Sequence, residues 1–351
     1  MLLSQLSQHS QRLQRLQRSS RTPRNALPRV GVVAAVLSAC VGVGLMSAQA
    51  LQAQSYPNKS VRVVVPFPPG GATDVVGRLL ATKLQEQLGQ PFVVDNRAGA
   101  GGSTGTEVVA RAAPDGYTLL MNFDPHATLQ FLLKSVSWDA VRDFAPITQL
   151  VRANQLLVVA PGVEARNMGE FLRLARGKGA ALNYATAGPG TSSHLAFELL
   201  KGLVGADATA IHFKGGNPAL TAVMGGQVDV MLVSMGAAMP LVRSGKLRAI
   251  AVTSAQPSRA APELPAIAQT FAGFETQGWA ILAAPAGTPR EIINLLNAQT
   301  LRALALPDVR QRLDALGFEP VGSTPEETTA FLRSELARWG KVIRERGITL
   351  E

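Results

Sequence analysis

One local pattern recurs along this sequence: a short apolar segment, a glycine-rich turn and an amphipathic helix. Its first copy has a β-branched run at 61–67, the turn Pro68-Pro69-Gly70-Gly71, and apolar residues at helical spacing from Ala72 to Leu88. Gly89 then ends the helical pattern. Strands that alternate with helices usually pair in parallel, with the helices on the faces of the sheet. The pattern therefore predicts an α/β fold.

The same order continues through most of the chain. A second copy has a strand at Pro91–Asp95, a glycine-rich turn at Gly99–Gly105, a helix at Thr106–Ala113 and a strand at Tyr117–Asn122. Later segments predict strands at 181–186, 208–213, 228–233 and 247–253, and helices at 191–203, 218–224, 289–306 and from Thr324 onward. Gly205 closes the helix at 191–203, and Thr324 and Glu327 form a capping box at the start of the last one. We predict two doubly wound α/β lobes. Lobe 1 comprises residues 55–158 and 281–351, and lobe 2 comprises residues 159–280.

The turns are candidate binding sites. The first N–H groups of a helix have no partner within the helix and carry a partial positive charge, so the turn Phe67–Asp74 suits a carboxylate or a phosphate. A turn of the same form, Gly188–Ser193, precedes a helix of the other predicted lobe, and Lys214-Gly215-Gly216 adds a cation. Two helix starts that face each other across a cleft would hold a small anion. The alternative is a plain strand–helix turn without a ligand.

The familiar signatures of enzymes are missing from the sequence. Gly99–Gly105 resembles a dinucleotide fingerprint, but Thr104 stands where the third glycine belongs, and no P-loop motif occurs. The four His residues, at 9, 126, 194 and 212, have no metal-binding spacing. A role in packing or in a hydrogen bond to a ligand explains His194 better than a role as a general base. We expect no catalytic residue, no metal and no cofactor, and a protein that is not an enzyme.

Residues 1–50 form a segment of a different kind. They contain six Arg and no Lys, Asp or Glu, then the apolar run Val30–Met46, then small residues up to Ala50. This order predicts a cleaved secretory signal peptide, with cleavage after Ala50 or, alternatively, after Ala53. The single cysteine, Cys40, ends a lipoprotein-like Leu-Ser-Ala-Cys sequence, so lipid anchoring there is a less favoured alternative. A retained membrane anchor is disfavoured because the apolar run is short.

The leader also accounts for most of the basic character of the chain. The formal net charge is +10, but the residues after position 50 carry 28 basic and 24 acidic groups, a net charge of only +4. That balance is ordinary and gives no reason to expect a nucleic-acid partner.

Seven segments, taken together and in order, carry a family resemblance. They are YPNKSVRVVVPFPPGGATDVVGRLLA, VVDNRAGAGGSTGTEVVARAAPDGYTLL, DFAPIT, LNYATAGPGTSSHLAFELL, FKGGNPALTAVMGGQVDVML, GKLRAIAVTS and LAAPAGTPREIINLLNA. From about Tyr56 to Gly347 the chain resembles the Bug (TctC-type) extracytoplasmic solute receptors, the substrate-binding proteins of tripartite tricarboxylate transporters.

This resemblance implies a fold of the periplasmic-binding-protein type, in which two hinged lobes close on a ligand like a Venus flytrap. It implies a small carboxylate ligand: a dicarboxylate, an amino acid or an aromatic acid. It also implies a periplasmic monomer whose partners are the membrane subunits of a transporter. The ligand-binding positions that it implies are Phe67, Pro69, Gly70, Gly71, Thr73, Asp74, Ala98, Gly99, Ser103, Thr186, Gly188, Thr191, Ser192, Lys214 and Gly215.

One stretch departs from the family pattern. Asn122-Phe123-Asp124-Pro125-His126 stands where relatives tend to have small residues. If Asp124 or His126 faces the cleft, ligand specificity differs, so Asp124 is a further candidate binding residue. Its carboxylate would repel a second carboxylate on the ligand and favour an amine or a hydroxyl there. An Asp-Pro turn without contact to the ligand is the alternative.

Two other functions remain open at this point. The chain could be a receptor that feeds a signalling system instead of a transporter, and neighbouring transporter genes would discriminate between the two. It could also be an enzyme that acts on an organic acid on the same scaffold. Such an enzyme would need an acid/base pair that the sequence does not show.

Overall fold

The first predicted unit is present, close to the boundaries that the sequence indicates. In the computed structural model, which describes residues 56–178, 181–258 and 261–349, strand β1 spans Val61–Val65 and helix α1 spans Ala72–Leu88. Gly89 ends α1 with a left-handed φ of 71°, a conformation that costs glycine little. The predicted leader at 1–50, with Cys40 and Ala50, and the alternative cleavage site at Ala53 lie outside the described residues.

The rest of the first half of the sheet follows the same order. It has strands β2 (Phe92–Asn96) and β3 (Thr118–Phe123), and helices α2 (Ser103–Ala110) and α3 (Pro125–Leu132). Strand β1 lies between β2 and β3 and pairs in parallel with both. Helix α2 begins three residues earlier than predicted. Gly101 and Gly102, both with positive φ, complete the turn, so Ser103 already has helical backbone.

The second half contains four strands and four helices. The strands are β5 (Leu182–Thr186), β6 (Ala208–His212), β7 (Val230–Ser234) and β8 (Arg248–Val252). The helices are α4 (Met168–Lys178), α5 (Ser192–Val204), α6 (Gly216–Met224) and α7 (Met235–Arg243). Strand β5 pairs in parallel with β6 and β7, as the repeated pattern predicts.

A long strand, β4 (Phe144–Val159), connects the two halves. Its first part pairs antiparallel with β9 (Gln277–Pro285) and with the short β10 (Glu319–Pro320), and its last part pairs antiparallel with β7 and β8. The main strand order is β2-β1-β3-β9-β4-β7-β5-β6. The sequence predicted neither β4 nor the antiparallel centre of the sheet.

Three helices at the end of the chain return to the first half. They are α8 (Arg290–Ala305), α9 (Pro307–Ala315) and α10 (Pro325–Arg346). Leu332 of α10 lies in one buried cluster with Val64 of β1 and Ile281 of β9. The predicted capping box is present: Thr324 Oγ1 accepts a hydrogen bond from the Glu327 N–H at 3.1 Å.

Each half has its own apolar core. A large cluster fills the second half, with Phe171, Tyr184 and Phe197 among its members, and a separate cluster lies in the first half. The predicted lobe boundaries fall inside β4 and β9, and the lobes as drawn remain a prediction. Within the described residues, no helix is both long and apolar enough to cross a bilayer.

Candidate functional site

The buried carboxylate of Asp74 holds the turn between β1 and α1 in shape. Its Oδ2 atom accepts hydrogen bonds from the backbone N–H of Gly70 at 2.9 Å and from Arg78 Nε at 3.0 Å. Its Oδ1 atom accepts a hydrogen bond from Asn96 Nδ2 at 3.0 Å, and the same nitrogen donates to the Phe67 backbone oxygen at 3.0 Å. Asp74 therefore links the turn, α1 and the end of β2.

These contacts keep Asp74 ionised. Burial acts to raise the pKa of its carboxyl, but the hydrogen bonds from Arg78, Gly70 and Asn96 outweigh burial and leave the pKa below its ordinary value. A carboxylate with a lowered pKa and engaged oxygens is poorly suited to take a proton from a bound molecule. In this structure Asp74 shapes the turn.

The start of α1 leaves backbone donors free. Gly71 is the N-cap in an extended conformation, and no side chain caps the helix. No described residue accepts a hydrogen bond from the N–H groups of Thr73 and Asp74. Pro69 and Gly70 form an exposed tip beside them. Unpartnered N–H groups at a helix start attract anions, so this turn has the geometry of an anion-binding site.

The glycine-rich turn after β2 packs against this first turn. A Cβ atom at Gly102 would lie 3.3 Å from Cζ of the Phe67 ring, so the backbone approaches the ring more closely than most side chains allow. Ala98 and Gly99 are exposed at the same edge. Both predicted turns of the first half thus lie side by side.

Ser103 is connected to the core of the first half through an indole. Its Oγ accepts a hydrogen bond from Trp138 Nε1 at 3.0 Å. The Trp138 ring stacks on His126, whose Nε2 lies 3.0 Å from the Ala140 backbone oxygen. Burial lowers the pKa of His126 to about 4, so its imidazole is neutral above that pH. His126 is thus a core residue, whereas the Ser103 hydroxyl can still donate a hydrogen bond.

The predicted turn before α5 uses its own polar groups internally. The Gly188 N–H donates to Thr186 Oγ1 at 3.2 Å, and the Thr191 hydroxyl donates to the Gly188 oxygen at 2.7 Å. The Gly190 N–H donates to His194 Nδ1 at 3.2 Å. Burial lowers the pKa of His194 to about 4, which keeps its imidazole neutral and able to accept this bond. This contact lies within the chain, so the predicted hydrogen bond from His194 to a ligand stays a prediction.

An acidic side chain from the first half occupies the start of α5. Asp124, which directly precedes α3, is 5% exposed, and its Oδ2 accepts a hydrogen bond from the Ser192 backbone N–H. Four residues on, the Thr128 hydroxyl donates to the Gly190 backbone oxygen at 2.7 Å. We expected a free helix start here. Instead, a carboxylate of the chain itself occupies it. Pro125, the next residue, is the first residue of α3.

The protonation of Asp124 is finely balanced. Burial raises its pKa to about 7, while the hydrogen bonds from Ser192 act in the opposite direction and the nearby Glu335 adds to the rise. Glu335 is itself held in place, since its Oε2 accepts hydrogen bonds from the indoles of Trp279 and Trp339 at 2.7 and 3.0 Å. No basic side chain is among the groups that set this pKa.

The predicted turn at Lys214–Gly216 lies against the turn before α5. The Gly215 N–H donates to the Ala187 backbone oxygen at 3.0 Å. Lys214 is exposed and forms no ion pair with a described residue. Its ammonium is the one predicted cationic contact in these turns.

Gln155 is a residue that sequence reasoning missed. It lies on β4 and is 4% exposed, its Nε2 donates to Ser192 Oγ at 3.1 Å, and its Oε1 is buried without a partner among the described residues. The only signal in the sequence is a glutamine directly before the apolar run Leu156–Val159. Opposite it, a Cβ at Gly278 of β9 would lie 3.2 Å from Ser192 Oγ.

Apart from Asp124, the predicted binding residues lie in four turns, at 67–74, 98–103, 186–192 and 214–215. The first and second turns pack together, and Asp124 and Thr128 join the first half to the turn before α5. Within the described part of the chain, no group of three or more His, Asp or Glu side chains could hold a metal ion.

Comparisons with known proteins agree on one family. Residues 76–348 match the model of the tripartite tricarboxylate transporter family receptor, TctC. Protein BugT of Bordetella pertussis is 36% identical over 321 residues, which cover 90% of this chain and 98% of BugT.

Solved structures give the same answer. Rpa4515 of R. palustris with adipate has a TM-score of 0.79 at 34% identity, over 84% of this chain and all of that one. The periplasmic binding protein BugD has a TM-score of 0.78 at 32% identity, with the same coverage. MatC of Rhodopseudomonas palustris with bound malate has a TM-score of 0.76 at 35% identity, over 82% of this chain and all of MatC. The predicted periplasmic-binding-protein type of fold is confirmed, and the chain belongs to the TctC family of tripartite tricarboxylate transporter receptors.

Proposed function

We propose that this protein is a periplasmic receptor that binds one small carboxylate between its two lobes and delivers it to the membrane subunits of a tripartite tricarboxylate transporter. It acts as a monomer, without a cofactor and without catalysis. The leader at 1–50 directs it to the periplasm and is removed. The lobes are those predicted from the sequence, and ligand binding closes them.

One observation carries the proposal: the start of α1 has free backbone donors above an exposed glycine turn. The N–H groups of Thr73 and Asp74 have no partner in the described chain, and Asp74 fixes the turn from behind. A carboxylate placed there accepts hydrogen bonds from these N–H groups, and the dipole of the 17-residue helix stabilises its negative charge. The Ser103 hydroxyl and the Lys214 ammonium supply further donors.

Two structures in the same family support a carboxylate. Rpa4515 was solved with adipate and MatC with malate. The remaining predicted positions form the walls of this site in our proposal: Phe67, Pro69, Gly70, Gly71, Ala98, Gly99, Thr186, Gly188, Thr191, Ser192 and Gly215. Bridging waters make many of the contacts, which costs little relative to direct hydrogen bonds.

The test is a thermal-shift screen of the exported protein against organic acids, amino acids and aromatic carboxylates. A ligand present at about 100 times its dissociation constant stabilises the folded state by about 2.7 kcal/mol. We expect a saturable shift from at least one carboxylate, and recovery of that compound unchanged. If no carboxylate shifts the unfolding temperature, the proposal is wrong.

The location is tested separately. The full chain, expressed with its own leader in a Gram-negative host, is expected in the periplasmic fraction with a mature N-terminus at Leu51. Mass spectrometry of the product distinguishes cleavage after Ala50 from cleavage after Ala53. A lipid-modified Cys40 at the new N-terminus would establish the anchored form instead.

A further inference from the structure

We propose that Asp124 determines which carboxylates this receptor accepts. Its side chain fills the start of α5 from within the chain. The site therefore takes a ligand with one carboxylate and, at its other end, a hydrogen-bond donor such as an amine, an amide or a hydroxyl. A second carboxylate is disfavoured. This inference rests on the proposed function, because it places the first carboxylate at the start of α1.

The first step of the argument is that the chain itself already occupies the start of α5. The Ser192 N–H is bound to Asp124. In the turn before it, the N–H groups of Gly188 and Gly190 are bound to Thr186 and His194. The N–H of Ala187 is bound to Ser193 Oγ at 2.9 Å. The second carboxylate of a diacid would have to displace Asp124 or lie beside the Asp124 carboxylate, and both are unfavourable.

The second step is a buried acceptor in contact with the same serine. Gln155 Nε2 donates to Ser192 Oγ, and Gln155 Oε1 is buried without a partner in the described chain. In this contact the Gln155 amide nitrogen is the donor and the Ser192 hydroxyl oxygen is the acceptor. The carbonyl oxygen is thus the free atom, and a buried acceptor without a donor is costly. A ligand N–H or O–H would satisfy it.

The third step is charge. Asp124 and Glu335 are acidic, Glu335 is ion-paired with Arg338 at 3.8 Å, and Gln155 offers an acceptor. Gly278 lies close to Ser192, because a Cβ added at Gly278 would be 3.2 Å from Ser192 Oγ. Since glycine has no side chain, the Ser192 hydroxyl is not covered from this direction. An ammonium or hydroxyl group complements these surroundings, and a carboxylate is repelled by them.

The experiment compares ligands of matched length by titration calorimetry. The probes are the unbranched diacids of four to six carbons, up to adipate, and the corresponding ω-amino and ω-hydroxy acids, up to 6-aminohexanoate and 6-hydroxyhexanoate. The proteins are the native chain, Asp124→Ser, Asp124→Asn and the control Asp207→Asn. Asp207 is exposed, so its variant removes one negative charge away from the site.

We expect the native protein and Asp207→Asn to bind an amino or hydroxy acid at least tenfold more tightly than the matched diacid. Asp124→Ser frees the Ser192 N–H and is expected to shift this ratio at least tenfold toward the diacid. Asp124→Asn keeps the shape and the acceptor for Ser192 but removes the charge, so it should lose the preference for the ammonium. It also serves if Asp124→Ser fails to fold.

The outcomes separate the two proposals. Suppose that the proteins bind carboxylates but neither Asp124 variant changes the affinity ratio of amino or hydroxy acid to diacid. The role of Asp124 is then overturned, and the receptor function remains intact. The same conclusion follows if the native protein prefers diacids. If no protein in the set binds any of these acids, the role of Asp124 is wrong. The carboxylate receptor is wrong as well only if the wider thermal-shift screen also finds no carboxylate ligand.

Discussion

The starts of α1 and α5 look alike in sequence and differ in the structure. Both follow a parallel strand and a glycine turn, and both have an extended N-cap residue without a side-chain cap. At α1 the N–H groups of Thr73 and Asp74 are free. At α5 the Ser192 N–H is bound to Asp124, 68 positions earlier in the chain. A glycine turn therefore creates a place for an anion, and a distant residue decides whether the chain fills that place itself.

The largest expected effect is on how the free energy of unfolding depends on pH. It tests the start of α5, which Asp124 occupies. Asp124 has a pKa of about 7 in the folded state and an ordinary value near 4 in the unfolded state. Between these values the folded chain binds more protons, so the free energy of unfolding falls as pH rises from about 4 to about 7. Asp124→Asn removes this dependence. Between pH 4 and 8 the variant should gain roughly 2–4 kcal/mol relative to the native protein.

Urea unfolding of both proteins across this range is the measurement. His126 and His194, with pKa values lowered to about 4, contribute stability that is lost as pH falls from about 6.5, but they do so in both proteins and cancel in the difference. Parallel profiles for the native and variant proteins would mean that Asp124 is not held as the structure shows.

The open helix start is tested by Asp74→Ala. This change removes the acceptor for Gly70, Arg78 and Asn96, and we expect a loss of roughly 2–3 kcal/mol of stability, at about 1 kcal/mol for each hydrogen bond. The affinity for the bound carboxylate should fall as well, because the turn loses its support. Urea unfolding and calorimetry measure the two effects. The exposed control Asp207→Ala should change stability by less than about 0.5 kcal/mol.

The packing of the two turns in the first half is tested by Gly105→Ala. A Cβ at Gly105 would lie 2.7 Å from the Arg97 backbone oxygen and 2.8 Å from Pro66 Cα, and backbone cannot easily give way. We expect roughly 1–3 kcal/mol of destabilisation in a thermal or urea unfolding experiment. Gly162→Ala is the matched control, because nothing lies within 4 Å of its added methyl group. Equal effects of the two changes would contradict this packing.

The smallest expected loss of stability comes from removing the cap of α10, whose capping residues are close together in the sequence. At α10 the cap is supplied by Thr324 and Glu327, three residues apart. Thr324→Ala should cost about 1 kcal/mol of stability in urea unfolding and leave carboxylate affinity unchanged. A change in affinity would show that α10 is coupled to the site. This variant therefore separates the general cost of uncapping a helix from an effect on binding.

What the sequence could predict here is mostly local. The end of α1 at Gly89, the end of α5 at Gly205 and the capping box at Thr324 depend on neighbouring residues, and each was predicted. Strand β4 was missed. It contains Pro146 and several polar residues, lacks strict alternation, and pairs with strands more than 100 positions away in β9 and β10.

In the candidate site, too, local features could be predicted from the sequence and contacts between distant residues could not. The glycine turns were visible as turns, because glycine and the helix that follows it act over a few residues. The contact of Asp124 with Ser192, and the unpartnered oxygen of Gln155, depend on how two halves of the fold meet. No local pattern contains that information. The sequence could name Asp124 as unusual, but it could not say what Asp124 contacts.

Strand β4 also governs when this chain can fold. Its neighbours in the sheet come from far later in the chain: Arg152 pairs with Glu319, and the Gln149 N–H is bound by Ser323 and Thr328. The first half therefore cannot close until almost the whole chain has been synthesised, and contacts between such distant positions form slowly. Until β9 and β10 have been synthesised, the first part of β4 has no partner strand on either side.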